Sequence, residues 1–180
     1  HCNEQIVIPG YNVTRSDRSG RVGGGVLLYS ADSIPISASY LFDDGVCEAT
    51  FCEFETINAA VAVVYRPPNA SVKSTSAVLT FVKQHQSTLP DNCDFFLSGD
   101  FNSPGINWIE LSASENDTVD VGVNPLLRYM EDNFLTQHVL EPTRGENILD
   151  LLFTNDTQLV GSISVFPPDS SISDHQIVQA

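Results

Sequence analysis

Phe95-Phe96-Leu97-Ser98-Gly99-Asp100-Phe101-Asn102 is the stretch on which the fold turns: an apolar run ends in a glycine, a carboxylate, an aromatic ring and a carboxamide. Read as a strand, it puts Asp100 and Asn102 on the same side of an extended backbone. One of them can take a proton from water or orient it while the other holds oxygens in the same pocket. Alone, the motif would be no more than a strand ending in turn-forming residues. A second cluster, Ser173-Asp174-His175, stands directly before the apolar Ile177 and Val178. A histidine at a strand start suits phosphoryl chemistry when a buried carboxylate fixes its tautomer or holds it protonated. Asp150, between Ile148-Leu149 and Leu151-Leu152-Phe153, is the candidate for that carboxylate. An acid in so apolar a strand is costly to bury without a partner.

Outward from these residues, short runs rich in Val, Ile, Phe and Tyr alternate with turn clusters. Strands are expected at 25–29, 47–54, 59–65, 95–98, 148–153, 163–166 and 177–178. Glu55-Thr56-Ile57-Asn58 has the length of a hairpin connection between the second and third of these, and Ala60-Val61-Ala62-Val63-Val64 reads as buried on both faces. Helical spacing recurs from about Thr75 to Leu89, with Val78, Leu79, Val82 and Leu89 as the apolar stripe. A second helix is capped by Asn124 and opens on Pro125, with Leu127, Met130 and Phe134 at three- and four-residue steps. The stretch 111–122 is polar and reads as a surface loop. The sum is a strand-dominated α/β domain with helices covering sheets.

The chain has 180 residues, 42% of them hydrophobic, which suffices for one well-buried core and predicts a single domain over residues 1–180. Acidic residues outnumber basic ones 23 to 8, for a formal charge of -15. That balance argues against gripping nucleic acid through a broad basic face. It leaves open a pocket in which a bound cation reverses the local sign. Cys47 and Cys52 are five apart, so a strand sends them to opposite faces, and together with Cys2 and Cys93 they read as free, buried thiols. An intracellular compartment, the nucleus included, fits best. The Asn-X-Ser/Thr triplets at Asn12, Asn69, Asn116 and Asn155 are taken as chance, no membrane span is expected, and His1 reads as an arbitrary boundary. Gly23-Gly24-Gly25 precedes a strand, so it is read as a site of close backbone approach instead of a phosphate loop. His1, His85 and His138 are read as surface or packing residues, and Trp108 as a core or loop anchor.

Taken in order, Arg21-Val22-Gly23-Gly24-Gly25-Val26, Val64-Tyr65-Arg66-Pro67-Pro68, Ser98-Gly99-Asp100-Phe101-Asn102, Pro142-Thr143-Arg144, Ile148-Leu149-Asp150 and Ser173-Asp174-His175 carry a resemblance over nearly the whole chain. The sequence resembles the endonuclease domain of non-LTR (LINE-type) retrotransposons, within the endonuclease/exonuclease/phosphatase superfamily. The resemblance implies a four-layered α/β sandwich of two packed mixed sheets flanked by helices, with the site at one edge. Residue by residue, Asp100 resembles the acid that orients and deprotonates the attacking water, Asn102 its positioning neighbour, and Tyr65 the active-site tyrosine. His175 resembles the histidine that contacts the scissile phosphate, with Asp150 as its carboxylate partner. Asp174 resembles a metal-site aspartate, and Thr143 and Ser173 match supporting, substrate-side positions. The implied cofactor is Mg²⁺ or Mn²⁺, the implied substrate DNA, and the implied partner a reverse transcriptase fused in the full-length protein.

The sequence departs from this pattern at its start. The family's opening strands, with an asparagine and then a metal-binding glutamate often in a Glu-Thr-Trp-Leu context, have no counterpart here. Residues 1–10 resemble the segment just after that glutamate, and Glu4 is not assigned its role. The domain is therefore expected to be partial at its N-terminus, lacking its first strands and inactive or weak on its own. Three functions are consistent with these residues: first a divalent-metal-dependent DNA-nicking endonuclease, and as alternatives a catalytically inactive remnant of one or a phosphomonoesterase of the same fold. If the chemistry is right, Asp100, Asn102, Asp150, Asp174 and His175 converge on one cleft.

Overall fold

A computed structural model describes residues 6–18, 24–113, 124–168 and 173–180. In chain order, β1 (Tyr11–Ser16) and β2 (Val26–Ala31) form an antiparallel ribbon, followed by β3 (Ala38–Asp43), β4 (Glu48–Phe54) and β5 (Ala59–Tyr65). Helix α1 (Val72–Gln86) leads to β6 (Asp94–Asp100), and a small hairpin of β7 (Ile106–Asn107) and β8 (Ser112–Ala113) follows. Then come helix α2 (Pro125–Asp132), β9 (Thr136–Gln137), β10 (Asp150–Thr154), and a second ribbon of β11 (Ser164–Phe166) with β12 (Ile177–Gln179). The central sheet has six strands in the order β3-β4-β5-β6-β10-β9. All its neighbours run antiparallel except β5 and β6, which are parallel across the α1 crossover. Among the described residues no helix is long and apolar enough to cross a membrane.

Strand alternation divides the core into two layers. On one face Ala60, Ala62, Val64, Phe95, Leu97, Leu151 and Phe153 pack beneath Val78, Leu79 and Val82 of α1 and Leu126 and Met130 of α2. On the other, Val61, Val63, Cys52 and Phe54 pack against Leu28 of the first ribbon. This is the α/β sandwich that the resemblance implies, and β5, buried on its helix side and half-buried on the other, runs through its middle. Cys47 and Cys52 fall in different layers, and with Cys93 they are free thiols; Cys2 lies outside the described residues. Trp108 is buried edge-on against Phe153 and donates from Nε1 to the Ile148 carbonyl. His85 stacks on Tyr40 at 3.9 Å, and the His138 ring meets Thr154 Oγ1 at 2.6 Å.

Several expectations shift at the element ends. Helix α1 starts earlier than Thr75, because Ser71 accepts from the Ser74 amide at 3.1 Å and so caps the first turn. Asn124 caps α2 in the same way, at 3.0 Å from the Leu126 amide. That helix stops at Asp132, and Phe134 turns into the left-handed region at φ 53 with 88% of its surface exposed, so it is no part of the apolar stripe. Strands β1 and β3 lie outside the expected set; their outward faces mix polar and large apolar side chains, which blurs the alternation. Residues 111–113 belong to the β7–β8 hairpin, and 114–123 lie outside the described residues. Asn155 stitches the far edge, its amide oxygen accepting from the Phe95 N–H at 2.9 Å and its Nδ2 donating to the Cys93 carbonyl at 2.8 Å.

The parallel pairing places Gly99 opposite Val64. Gly99 holds φ +137, and a Cβ built there would lie 1.9 Å from the Val64 carbonyl oxygen. Only glycine allows the two backbones to come this close at that φ. Gly99→Ala is expected to cost about 2–4 kcal/mol from backbone strain and overlap together. A fall in the urea midpoint with an unchanged slope will check it, and an unaltered midpoint would contradict the assignment.

Candidate active site

One row of the central sheet gathers the chemistry. Across adjacent strands the register pairs Glu48 with Tyr65, Tyr65 with Asp100, and Asp100 with Asp150. Directly paired residues point to the same side of a sheet. Their parity matches Cys52, Val61 and Val63, so the row faces the layer that holds the ribbons. It also sits at the carboxyl ends of the parallel pair, where both β5 and β6 stop. Open α/β sheets place ligands beyond this edge.

His175 joins the row from the turn before β12. Its Nδ1 lies 2.8 Å from Asp150 Oδ2, and its Nε2 lies 4.0 Å from Asp100 Oδ2. A carboxylate can only accept, so Nδ1 carries the hydrogen and Nε2 is left facing Asp100. Thr143 secures this arrangement from beneath: fully buried, its hydroxyl accepts from the amides of Leu149 and Asp150 at 2.9 and 3.0 Å. Its carbonyl accepts from the Gln176 amide at 2.7 Å, which ties the His175 turn to the same point. Ser173 Oγ accepts from the His175 amide at 3.0 Å. A cleft of about 370 Å³ opens beside Asp100 and Asp150, with Ser98, Leu152 and Gln176 among its walls.

Asn102 differs from the expectation of a continued extended strand. Strand β6 ends at Asp100, and Asn102 sits in the left-handed region at φ 43. Its amide donates to Asp100 Oδ1 at 3.0 Å, and its Nδ2 donates to the Arg66 carbonyl at 3.0 Å. Asn102 therefore orients Asp100 and closes the turn. Arg66 anchors the same turn, donating to the carbonyls of Phe101, Asn102 and Ala70 and to Thr75 Oγ1, at 2.8 to 3.2 Å. Asp174 lies to one side and is largely exposed, with its Oδ2 held by Arg144 Nε at 2.8 Å and Nη2 at 2.7 Å. The hydrogen bond from Arg144 keeps the Asp174 carboxyl below the usual carboxylate range. So Asp100, Asp150, His175 and Tyr65 share the row, Asn102 adjoins it, and Asp174 faces an arginine.

The donor chemistry suits a divalent cation. Asp100, Asp150 and His175 each offer one ligand atom, all within 4.8 Å of one another. Carboxylate oxygens match Mg²⁺ and Mn²⁺. Burial and then the neighbouring Asp150 push the Asp100 carboxyl up, against the opposing pull of His175 and the Asn102 hydrogen bonds. A cation between the two acids would relieve that repulsion.

Sheet, ribbons and helices together match the α/β fold of endonuclease/exonuclease/phosphatase family structures. Residues 59–179 match the family model described as endonuclease-reverse transcriptase, and the chain belongs to that family. Among solved structures it resembles the endonuclease domain of TRAS1, a telomere-specific non-LTR retrotransposon, at 14% identity and TM-score 0.58, over 94% of this chain and 78% of that one. An endonuclease/exonuclease/phosphatase family protein from Bacteroides thetaiotaomicron aligns at 13% identity and TM-score 0.56, over 95% and 72%. D. rerio TDP2, solved with a single-stranded DNA product, aligns at 10% identity and TM-score 0.56, over 93% and 74%. No curated protein matches the sequence.

Because the folded-state value of Asp100 lies above its unfolded value, its contribution to stability is fully present below the unfolded value and lost as pH rises through the folded one. At neutral pH the ionised Asp100 thus works against the fold. Asp100→Asn keeps the acceptor for the Asn102 amide and removes the charge. Its melting temperature is expected to exceed that of the wild type at pH 7, by about 2–4 °C for each kcal/mol relieved. The gap should close below about pH 4, where the wild-type carboxyl is also neutral. A lower melting temperature at pH 7 would count against the electrostatic reading.

Proposed function

We propose that this chain is a phosphodiesterase of the DNA-nicking endonuclease type, dependent on Mg²⁺ or Mn²⁺ and acting as one module of a reverse-transcriptase polyprotein. The observation that carries it is Asp100 facing His175 Nε2 across 4.0 Å while Asp150 holds Nδ1 at 2.8 Å. That gap admits a water or a phosphoryl oxygen between an acceptor and an imidazole nitrogen. The family's description as endonuclease-reverse transcriptase supports the substrate and the fusion. The module would work wherever its DNA lies, in the nucleus of a eukaryotic host.

Hydrolysis of a phosphodiester needs an activated water, neutralised phosphoryl oxygens and help for the leaving oxygen. Asp100, oriented by the Asn102 amide, takes the proton of the attacking water. In its protonated form His175 donates from Nε2 to a non-bridging oxygen, while Asp150 holds Nδ1–H and orients the ring. Tyr65, beside Asp100 in the row, offers its phenol to the same phosphate, while Thr143 and Ser173 hold the His175 turn in place. The carboxylates of Asp100 and Asp150 would hold the cation, with Asp174 joining them once it releases Arg144. A bound divalent ion supplies charge neutralisation where the leaving alkoxide develops.

Asp100→Ala and His175→Ala should each reduce nicking of supercoiled plasmid about a hundredfold or more. Chelation should abolish nicking, with circular dichroism unchanged in both variants. Equal nicking by wild type and Asp100→Ala would overturn the mechanism. Hydrolysis confined to a small phosphomonoester, with plasmid untouched, would move the substrate class.

A further inference from the structure

A second charged group lies at the other end of the same row. Glu48 pairs with Tyr65 across β4 and β5, and its side chain is fully buried. Its carboxylate receives Arg18 Nε, Arg18 Nη2 at 3.0 Å and the Gly25 amide at 3.4 Å. Arg18 Nη2 also donates to the Val46 carbonyl at 2.9 Å. Thus fixed, the guanidinium carbon stands 5.3 Å from the centroid of the Tyr65 ring. Gly24 is shaped for this: a Cβ there would meet Arg18 Cζ at 2.6 Å. Hydrogen bonding to Glu48 is the largest influence holding the Arg18 charge, and the Tyr65 side chain adds to it.

A buried ion pair is a poor way to gain stability. Removing two charges from water is costly, and an apolar pair of similar volume is often as stable or more so. What the pair supplies here is a fixed cation against one ring, and that ring neighbours Asp100 in the register. We propose that Glu48 and Arg18 are positioning residues for Tyr65, with Glu48 aiming the guanidinium and the guanidinium holding the phenol in the row beside Asp100. This rests on the phosphodiesterase reading for its kinetic consequence but not for its structural one.

The test separates a positioning role from a merely structural one. Glu48→Gln and Arg18→Met should each lower kcat for plasmid nicking roughly ten- to a hundredfold with KM nearly unchanged, as expected when a reacting group is misplaced. The pair Arg18→Met with Glu48→Leu removes both charges together. Thermal stability should then return toward wild type while kcat stays low. In a Tyr65→Phe background, Arg18→Met should cost little more, because the phenol it serves is gone. Recovery of kcat together with stability, or fully multiplicative losses in the Tyr65→Phe background, would overturn the proposal.

A readout without turnover covers the case in which the protein does not nick DNA at all. In aromatic ¹H–¹³C spectra, the Tyr65 ring signals, assigned by their loss in Tyr65→Phe, should move on Glu48→Gln. Those of Tyr129, whose hydroxyl pairs with Gln86 beneath the helices, should stay in place. An unmoved Tyr65 ring would sink the idea whatever the activity. A moved ring in an inactive protein would retain it and count against the phosphodiesterase reading instead.

Discussion

The parallel contact between β5 and β6 is the constraint on which the rest depends. It brings Gly99 against Val64 and sets Tyr65 beside Asp100, and the antiparallel partners on either side extend that level to Glu48 and Asp150. Strand spacing of about 4.8 Å spreads these four side chains over roughly 15 Å of one rim. Nothing else needs to be long-range except the turn that delivers His175, and Thr143 binds that turn and Asp150 at once. The fold therefore builds its site mainly by register. A slip of one residue between β5 and β6 would put Asp100 and Asp150 on the face opposite Tyr65 and Glu48.

Charge sets the second theme. A chain of formal charge -15 places two acids side by side in a half-buried cleft, and the arginines described around it are already engaged. Arg66 is spent on backbone carbonyls, Arg18 on Glu48 and Arg144 on Asp174. Among the described residues, a polyanion meeting this rim finds little free positive charge. The carboxylates are where the sign can be reversed, by a cation or by protonation.

Much of this is legible in the sequence. The apolar run into Gly99-Asp100 announces the strand end, and the acid within Ile148–Phe153 demands a partner that His175 supplies. The same reasoning applied to Glu48, another acid in an apolar strand, points to a buried cation, but nothing in the local pattern names Arg18. Asn102 departs from expectation for a physical reason: alternation holds only while the backbone stays extended, and the chain turns left-handed there. Asp174 cannot be placed from spacing, because its orientation depends on Arg144, thirty residues away in the chain. Strands β1 and β3 escape since their outward faces mix polar with large apolar side chains, Leu41 between Ser39 and Asp43 in β3, so the alternation is blurred.

Asn155 has a consequence of a different kind. Asn155-Asp156-Thr157 reads as an acceptor for an N-linked sugar, yet both ends of the Asn155 amide are occupied by backbone between β6 and its neighbours. The nitrogen that a glycan would take is the one that donates to Cys93. Sugar attachment would replace one of the two Nδ2 hydrogens and set a bulky group against this closed end of the sheet. In a compartment that glycosylates nascent chains, a chain that acquired the sugar first would have to fold with that bulk at the entry to β6.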